Sequence, residues 1–310
     1  MRALVTGGAG FIGSNLTDAL LARGDEAIVV DDLSTGRREN LEPGLVNGAT
    51  LVEADIRDRA AIEELVGREQ PEVIFHLAAQ IDVRKSIADP AFDASINVGG
   101  TANVLDAARA AGARRIVFSS TGGAIYGEGE GQQLPLAEDA PLAPEAPYGQ
   151  SKFAGEGYLA LYERLYGLST IPLRLGNVYG PRQDPLGEAG VVAIFCGLLR
   201  EGKRPTVFGD GKQTRDYIYV GDVVAAMLAA AELETTGPVN IGTGVETDVL
   251  ELVSALGELG GSGDFEPEFA PPRTGEVQRI SIDPGRAERE LDWRAEMGFK
   301  EGLRVTLDSI

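Results

Sequence analysis

Residues 3–14 read ALVTGGAGFIGS, and this stretch decides the fold. An apolar run that is typical of a buried strand leads into a glycine loop, and a helical pattern follows. Gly7, Gly10 and Gly13 are spaced GxxGxxG. Glycine permits the tight turn and a close approach to the main chain, and the free amides at a helix N-terminus attract negative charge. The stretch therefore predicts a loop that binds the pyrophosphate of a dinucleotide.

Short Val- and Ile-rich runs alternate with longer helical patterns along most of the chain. Nearly continuous apolar runs are typical of strands that are covered on both faces. The alternation predicts an α/β fold with a doubly wound parallel sheet of the Rossmann type. The predicted strands are residues 3–7, 27–32, 51–55, 73–78, 115–120, 170–174 and 239–242.

The alternation breaks after about residue 177, where proline, glycine and charged residues become frequent. We therefore expect a NAD-binding Rossmann domain over residues 1–176. Residues 177–310 are predicted to form a smaller α/β lobe that binds the substrate. Residues 237–243 are expected to return to the sheet and complete it.

Composition restricts the kind of protein and its partners. The 310 residues carry 48 acidic and 28 basic side chains, so the formal net charge is −20. Such a charge repels nucleic acid and anionic membranes, so neither is an expected partner, and an anionic substrate would need a local cluster of arginines. One cysteine, Cys196, excludes an internal disulfide and is expected in the core. With no leader pattern and no long apolar run, we expect a cytoplasmic enzyme.

Acidic residues follow the second and third predicted strands. Asp31 can accept both ribose hydroxyls of an adenosine and would repel a 2′-phosphate, which favours NAD over NADP. The arginines at 37–38 could soften that preference. Asp32 is the neighbouring alternative, although its side chain should point to the other face of the strand. Asp55 and Ile56 are placed to border an adenine ring, although Asp55 could instead cap the next helix.

A second motif, YGQSK at residues 148–152, places Tyr148 and Lys152 on one helix face. A free tyrosine titrates near ~10, and one cation at ~4 Å could lower that value by about 3 units. We expect Lys152 to be that cation, with oxidised NAD adding to it. Thr121 ends the fifth predicted strand and can relay the proton, with Ser120 as the alternative. His76, the single histidine, is expected to be structural.

Together these motifs resemble the extended short-chain dehydrogenase/reductases, and within them the UDP-glucose 4-epimerase group. The resemblance covers almost the whole chain and includes GGAGFIGSNL (7–16), DDLSTG (31–36), ADI (54–56), HLAAQ (76–80), FSST (118–121), IYG (125–127), YGQSK (148–152), GNVYGPRQ (176–183), RDYIYVGDV (215–223) and PPRTGE (271–276). The glycine loop and YxxxK are general to the superfamily. The later motifs are more specific to members that act on nucleotide sugars.

The resemblance implies a NAD-dependent epimerase that inverts C4 of a UDP-hexose. Tyr148, helped by Thr121, would take the proton of the 4-hydroxyl while hydride leaves C4 for tightly bound NAD. The 4-keto sugar would turn over, with UDP anchored, and hydride would return to the opposite face. Lys152 would also hold the nicotinamide ribose. The family also implies a homodimer that packs through helices at 92–112 and 149–167.

The resemblance also implies two sets of binding residues. The cofactor set comprises Gly7, Gly10, Phe11, Ile12, Gly13, Asp31, Asp32, Asp55, Ile56, Leu77, Ala78, Ala79, Asn97, Ser119, Tyr148 and Lys152. The UDP-sugar set comprises Thr121, Tyr148, Asn177, Val191, Thr206, Val207, Phe208, Arg215, Arg273 and Glu276, with Arg215 and Arg273 on the diphosphate and Val207 and Phe208 beside the uracil. Tyr179 is expected near the sugar cleft.

Three positions of the chain bear on which related activity it has. The related sugar 4,6-dehydratases carry Asp–Glu directly after the threonine, whereas this chain has Gly122 and Gly123, which disfavours elimination. Ile280 falls where the family limits the bulk of the sugar, and isoleucine does not decide the substrate. UDP-glucose and UDP-galactose are therefore the first expectation. UDP-N-acetylglucosamine, UDP-glucuronate and a nucleotide-sugar dehydrogenase or reductase activity remain as alternatives.

Overall fold

The structure is a computed structural model that describes residues 1–128, 133–185, 190–261, 265–272 and 277–310. Within these ranges the strands are β1 (Arg2–Thr6), β2 (Glu26–Asp31), β3 (Thr50–Glu53), β4 (Val73–His76), β5 (Arg115–Thr121), β6 (Ser169–Leu175), β7 (Asn177–Tyr179), β8 (Thr206–Phe208), β9 (Thr214–Arg215), β10 (Tyr217–Tyr219), β11 (Val239–Ile241), β12 (Thr247–Asp248) and β13 (Glu268–Ala270).

The helices of the described ranges are α1 (Phe11–Ala22), α2 (Glu42–Val46), α3 (Arg59–Glu69), α4 (Val83–Ala88), α5 (Pro90–Ala94), α6 (Thr101–Ala111), α7 (Gly122–Ile125), α8 (Pro147–Tyr166), α9 (Val191–Arg200), α10 (Val220–Glu232), α11 (Val249–Gly260), α12 (Gly285–Leu291) and α13 (Phe299–Ser309). A 3₁₀ turn lies at Arg38–Leu41 and a π-helical segment at Ser95–Gly100. No helix of the described ranges is long and apolar enough to cross a membrane.

A parallel sheet forms the centre of the fold. Within the described ranges it has seven strands in the order β11-β6-β5-β4-β1-β2-β3. The seven strands are those that the sequence predicts, and the α/β fold class is confirmed. The side chains of six of these strands are mostly buried, as expected of strands that are covered on both faces, whereas the edge strand β3 has exposed or half-buried residues only. Strand β11 pairs in parallel with β6, from Val239 opposite Leu173 to Ile241 opposite Leu175.

Smaller strand pairs accompany the second part of the chain. β7 pairs with β10 and β8 with β13, both in parallel, and β9 pairs with β12 in antiparallel orientation. A separate apolar cluster there includes Cys196, which is fully buried as expected. The division into a domain at 1–176 and a lobe at 177–310 stays a prediction.

Local sequence signals set the helix ends near the site. Helix α8 has Pro147 in its first turn and ends before Gly167, whose φ is +70°. Proline suits the first turn because it lacks an amide hydrogen, and glycine suits a left-handed end. Residues 92–112, predicted as one helix, instead comprise the end of α5, the π-helical segment and α6. A side chain at Gly100 would lie 2.5 Å from Ile56 Cδ1, so the helix passes that residue at a glycine.

Candidate active site

The glycine loop lies between β1 and α1 at the carboxyl edge of the sheet, where such folds bind ligands. Gly7 has φ +69°, and a Cβ there would lie 2.6 Å from the amide nitrogen of Ala78. A Cβ on Gly13 would lie 2.3 Å from the Gly7 carbonyl oxygen. Gly10 precedes α1 and has no side chain to cap it, so the amides of Phe11 and Ile12 begin the helix uncapped. This backbone-lined cradle fits a pyrophosphate.

Asp31 ends β2 beside this loop. One carboxylate oxygen accepts the amide hydrogen of Ala9 at 2.9 Å, and the other accepts that of Leu33 at 2.9 Å. Burial is the largest cause that raises the pKa of Asp31 above its usual value, and the two amides oppose it. Asp32 is exposed and accepts from the amide and hydroxyl of Ser34, at 3.0 and 2.6 Å. Asp31 therefore lies beside the glycine loop, whereas Asp32 closes a turn. A contact of Asp31 with the cofactor stays a prediction.

Asp55 and Ile56 follow β3 at the same edge. The Arg57 side chain binds the Asp55 carboxylate through its Nε at 2.8 Å, and this hydrogen bonding is the main cause that lowers the pKa of Asp55. Asp58 caps α3 by accepting the amide hydrogen of Ala61 at 3.1 Å. The alternative interpretation of Asp55 as the helix cap is therefore wrong, because the chain turns once more before α3 begins.

Leu77, Ala78 and Ala79 leave β4 next to the glycine loop. The amides of Leu77 and Ala78 donate to the Thr6 carbonyl oxygen at 3.1 Å and to the Thr6 hydroxyl at 3.2 Å. Asn97, expected near the cofactor, is buried and holds the next residue of this segment. Its side chain accepts from the Gln80 amide at 2.9 Å and donates to the Gln80 carbonyl oxygen at 2.8 Å. Asn97 thus shapes the segment, and its direct contact with a cofactor stays a prediction.

Lys152 and Tyr148 lie on α8 against the end of β5. The Lys152 ammonium donates to the Ser119 carbonyl oxygen at 2.7 Å and lies 4.7 Å from the centre of the Phe118 ring. Burial lowers the pKa of Lys152 to about 8, although Asp93 and Glu156 oppose this shift. Tyr148 is half-buried, and its phenol lies beside the Thr121 side chain.

The pKa of Tyr148 differs from the expectation. Burial raises the pKa of Tyr148 to about 12, and the hydrogen bond with Thr121 only partly opposes this. Lys152 does not offset this burial, because burial also lowers the pKa of its own amine to about 8, so the amine loses its proton well before the phenol titrates. The expected lowering, to which oxidised NAD adds, stays a prediction. The phenol of this structure is therefore protonated at neutral pH, and a further positive charge is needed to make it a base.

The choice between Thr121 and Ser120 follows from their partners. Ser120 is buried and donates its hydroxyl hydrogen to Glu156 Oε1 at 2.6 Å. Thr121 is the one that lies beside the Tyr148 phenol, and it opposes the rise of that pKa. The geometry therefore favours Thr121 as the proton relay.

His76 is fully buried at the end of β4. Its Nδ1 lies 2.7 Å from the Thr6 hydroxyl and its Nε2 lies 3.0 Å from the Thr101 hydroxyl. Burial is the main cause that lowers the pKa of His76 to about 3, and the nearby Lys152 adds to it. A neutral imidazole between two threonines agrees with the structural role that the sequence predicts.

The expected UDP-sugar residues lie on several elements of the second part of the chain. Asn177 begins β7 and Arg215 ends β9, and the Arg215 guanidinium donates to the Thr214 and Val277 carbonyl oxygens at 2.8 and 2.7 Å. Arg273 and Glu276 lie outside the described residues. Val191 begins α9 and is half-buried.

Strand β8 carries Val207 and Phe208, which are expected beside the uracil, and Thr206, another member of the UDP-sugar set. Thr206 is exposed and Phe208 is half-buried, whereas the Val207 side chain lies in the core of the second part of the chain. Val207 can therefore present only its main chain to a base.

Two residues that the sequence places at the sugar cleft have buried side chains, and their contact with a sugar stays a prediction. Tyr179 is fully buried, donates to the Phe299 carbonyl oxygen at 3.3 Å, and packs edge-on against the rings of Tyr219 and Phe299. Ile280 is also buried, in an apolar cluster with Ile125. Both side chains fill a core that forms between segments far apart in sequence.

Gly122 and Gly123 follow Thr121 at the start of α7. A Cβ on Gly122 would lie 2.6 Å from Ile282 Cδ1, and one on Gly123 would lie 3.2 Å from Asn177 Oδ1. The chain therefore lacks carboxylates here and has little room for a side chain at position 122. This geometry argues against elimination chemistry at the site.

Sequence reasoning missed a group of buried residues that support the site. The Asp93 carboxylate accepts from Ser151 Oγ at 2.6 Å and from the Asn97 side-chain Nδ2 at 3.0 Å. Glu156 accepts from Ser120 and from Arg174. The spacing of four residues that links Tyr148 to Lys152 continues to Glu156, and this signal could have identified it. The role of Asp93 carries no comparable local signal.

Together, the fold, the glycine cradle and the Tyr148–Lys152 pair define a dinucleotide-dependent enzyme of the short-chain dehydrogenase/reductase type. The sequence model of the "NAD dependent epimerase/dehydratase family" matches residues 3–242. The chain therefore belongs to the NAD-dependent epimerase/dehydratase family.

Three relatives illustrate the similarity. The UDP-glucose 4-epimerase of Mycolicibacterium smegmatis is 48% identical over 310 residues, which cover 99% of this chain and 98% of the relative. The crystal structure of UDP-glucose 4-epimerase with UDP-glucose from Thermotoga maritima is 44% identical, with a TM-score of 0.96 and coverage of 100% and 98%. The Thermus thermophilus UDP-glucose 4-epimerase, in complex with NAD, is 44% identical, with a TM-score of 0.92 and the same coverage.

Proposed function

We propose that this protein interconverts UDP-glucose and UDP-galactose by inverting C4 of the sugar with NAD that stays bound. The observation that carries the proposal is the arrangement of Tyr148, Thr121 and Lys152 at the end of β5, beside a backbone cradle for a dinucleotide. Similarity to UDP-glucose 4-epimerases over the full chain supports the same reaction. Glycines at 122 and 123, in place of carboxylates, support epimerisation over dehydration.

The residues of the cradle fit NAD. The uncapped start of α1 favours the negative pyrophosphate, and a buried carboxylate at Asp31 suits ribose hydroxyls rather than a 2′-phosphate. When bound, NAD supplies the acceptor for the hydride from C4 and a positive ring beside the reacting groups. Arg37 forms an ion pair with Asp184 at 2.5 Å, which reduces its availability to a 2′-phosphate.

The side chains of the site then move one proton. Tyr148 Oη takes the proton of the sugar 4-hydroxyl, and the Thr121 hydroxyl relays it between the two oxygens. Lys152 keeps positive charge next to the pair, since a pKa of about 8 leaves the amine mostly protonated at pH 7. The protonated Tyr148 returns the proton when the 4-keto sugar has turned over and is reduced on its other face. The starting redox state is thereby restored.

UDP must stay anchored while the sugar turns over. Asn177, Arg215 and Arg273 are the proposed anchors, because forked guanidinium donors suit phosphate oxygens. They would provide the local positive charge that a chain of net charge −20 needs to bind an anion. The remaining members of the proposed UDP-sugar set are Val191, Thr206, Val207, Phe208 and Glu276.

A panel of UDP-sugars tests this function. The purified protein is incubated with UDP-galactose, UDP-N-acetylglucosamine or UDP-glucuronate without added nicotinamide, and the C4 configuration is read by NMR. We expect UDP-galactose and UDP-glucose to interconvert. Steady accumulation of NADH, followed at 340 nm, would instead indicate a dehydrogenase, and preference for another sugar would correct the substrate.

We also propose that two copies of the chain associate through α4, α5 and α8. Large apolar side chains are exposed on all three helices, among them Ile87, Phe92, Phe153 and Tyr158. Exposed apolar residues that cluster on neighbouring helices are typical of an interface. Sedimentation velocity tests this: Phe153→Glu should give a monomer, and Val46→Glu, at a more exposed apolar residue on α2, should not. The cytoplasmic location stays a prediction.

A further inference from the structure

We propose that Glu156 is a positioning residue of this active site, because its buried carboxylate fixes the helix that carries Tyr148 and Lys152 to the strand that carries Thr121. Glu156 lies two turns after Tyr148 on α8 and is 8% exposed. Its Oε1 accepts from Ser120 Oγ at 2.6 Å and from Arg174 Nε at 3.0 Å. Its Oε2 accepts from an Arg174 NH2 group at 2.8 Å.

The partners of Glu156 lie in one row across the sheet. Ser120 of β5 is opposite Arg174 of β6, and Arg174 is opposite Asn240 of β11. Tyr126, just after α7, joins this row: Arg174 donates to its hydroxyl at 2.8 Å, and that hydroxyl donates to Asn240 at 2.7 Å. One carboxylate therefore ties α8 to three strands and to the segment that follows Thr121.

Three consecutive residues of β5 contact three residues of α8 that are spaced one turn apart. The Ser119 carbonyl oxygen accepts from Lys152, the Ser120 hydroxyl donates to Glu156, and Thr121 lies beside the Tyr148 phenol. The bond at Glu156 is adjacent to both contacts that involve the reacting groups. A displacement of α8 along β5 would therefore break these contacts together.

The charge of Glu156 matters as well as its shape. Arg174 is 3% exposed, and the ion pair with Glu156 balances its charge inside the protein. The charged or titratable groups around Lys152 are Asp93 of α5, Glu156 and Tyr148 of α8, and the neutral His76 of β4. Replacement of Glu156 by a neutral residue leaves Arg174 unbalanced and makes the surroundings of the reacting pair more positive.

The inference rests on the proposed epimerase function, and the test is a comparison of Glu156→Gln with Glu163→Gln. Glu163 lies on the same helix, two turns further, outside this cluster. We expect Glu156→Gln to lower kcat at least about 10-fold, while KM for UDP-galactose and the bound NAD change less than about twofold. Glu163→Gln should match the wild type. Ser120→Ala, which keeps the ion pair, should lower kcat about three- to tenfold.

The pH profile separates positioning from simple loss of stability. Glu156→Gln should shift the kcat profile to lower pH by at least about 0.5 unit, since the excess positive charge eases loss of a proton from Lys152 and Tyr148. The double variant Glu156→Gln/Arg174→Gln, which removes both charges, should return the profile to its wild-type position. Wild-type kcat in Glu156→Gln, or a lower kcat with an unshifted profile, would overturn the inference.

A crystal structure of Glu156→Gln gives a readout that does not depend on activity. We expect the distance between Lys152 Nζ and the Ser119 carbonyl oxygen to exceed 3.5 Å, the usual limit for a hydrogen bond, from its present 2.7 Å. An unchanged distance would refute the positioning role even if the wild type showed no epimerase activity. Absence of wild-type activity would refute only the proposed function.

Discussion

Acidification from pH 7.5 to pH 5.0 probes the interior of this protein through its single histidine. The Thr101 hydroxyl donates to the Asn97 carbonyl oxygen at 2.7 Å, so it must accept from His76 Nε2–H. His76 Nδ1 then accepts from the Thr6 hydroxyl. A second proton, on Nδ1, would face the Thr6 hydroxyl, which already accepts from the Ala78 backbone amide. The folded protein therefore disfavours the imidazolium.

The effect on stability follows from the two pKa values. Burial lowers the pKa of His76 from 6.5 to about 3. Because the folded value is the lower one, the contribution is fully present above pH 6.5 and is lost as the pH falls towards 3. The free energy of unfolding should decrease by about 2 kcal/mol at pH 5 and by up to about 5 kcal/mol below pH 3 from this group alone.

NMR and calorimetry test both parts of this reasoning. The one imidazole signal, assigned by its absence in His76→Gln, should keep a neutral chemical shift from pH 7.5 down to pH 5.0. The difference in Tm between wild type and His76→Gln should change over the same range, which removes the contribution of the carboxylates. A titration of the imidazole with a midpoint near pH 6 in the folded protein would refute the burial argument.

Four further substitutions test the reacting pair, the glycine loop and the choice of cofactor. Tyr148→Phe should lower kcat about 10²- to 10⁴-fold, with UDP affinity from calorimetry and NAD content unchanged, and near-normal turnover would exclude it as the base. Gly13→Ala should cost about 1–3 kcal/mol and reduce bound NAD, because its Cβ would lie 2.3 Å from the Gly7 carbonyl oxygen. Gly67→Ala, in open space within α3, should instead gain about 0.5–1 kcal/mol, and equal Tm changes for the two would contradict the contact argument. Asp31→Asn should weaken NAD binding at least about 10-fold while bringing NADP closer in affinity, and retained discrimination would assign that role elsewhere.

The sheet was predictable because its signals are local. Each of its strands is a short apolar run, and the glycine spacing after β1 specifies the turn that follows. The Tyr148–Lys152 pair was predictable for a similar reason, since residues that are four positions apart on a helix share a face. Such patterns need no knowledge of distant parts of the chain.

The packing that the sequence could not show concerns residues whose neighbours are distant along the chain. Tyr179 packs against Phe299 and Ile280 against Ile125, and neither distance along the chain leaves a periodic pattern. The burial that raises the pKa of Tyr148 could not be predicted, because a sequence shows a nearby cation but not the burial that opposes it. Burial depends on the assembled fold, so it becomes visible only in three dimensions.

The position of β11 late in the sequence has a consequence for engineering. This strand pairs with β6 although it begins more than sixty residues after β6 ends. The intervening polypeptide is therefore an insertion between two neighbouring strands of the sheet. A fragment truncated after residue 176 would expose the free edge of β6, a site for unwanted pairing between copies. Grafting a new sugar-recognition module onto this scaffold should therefore replace an internal segment and preserve residues 239–241, rather than fuse two halves end to end.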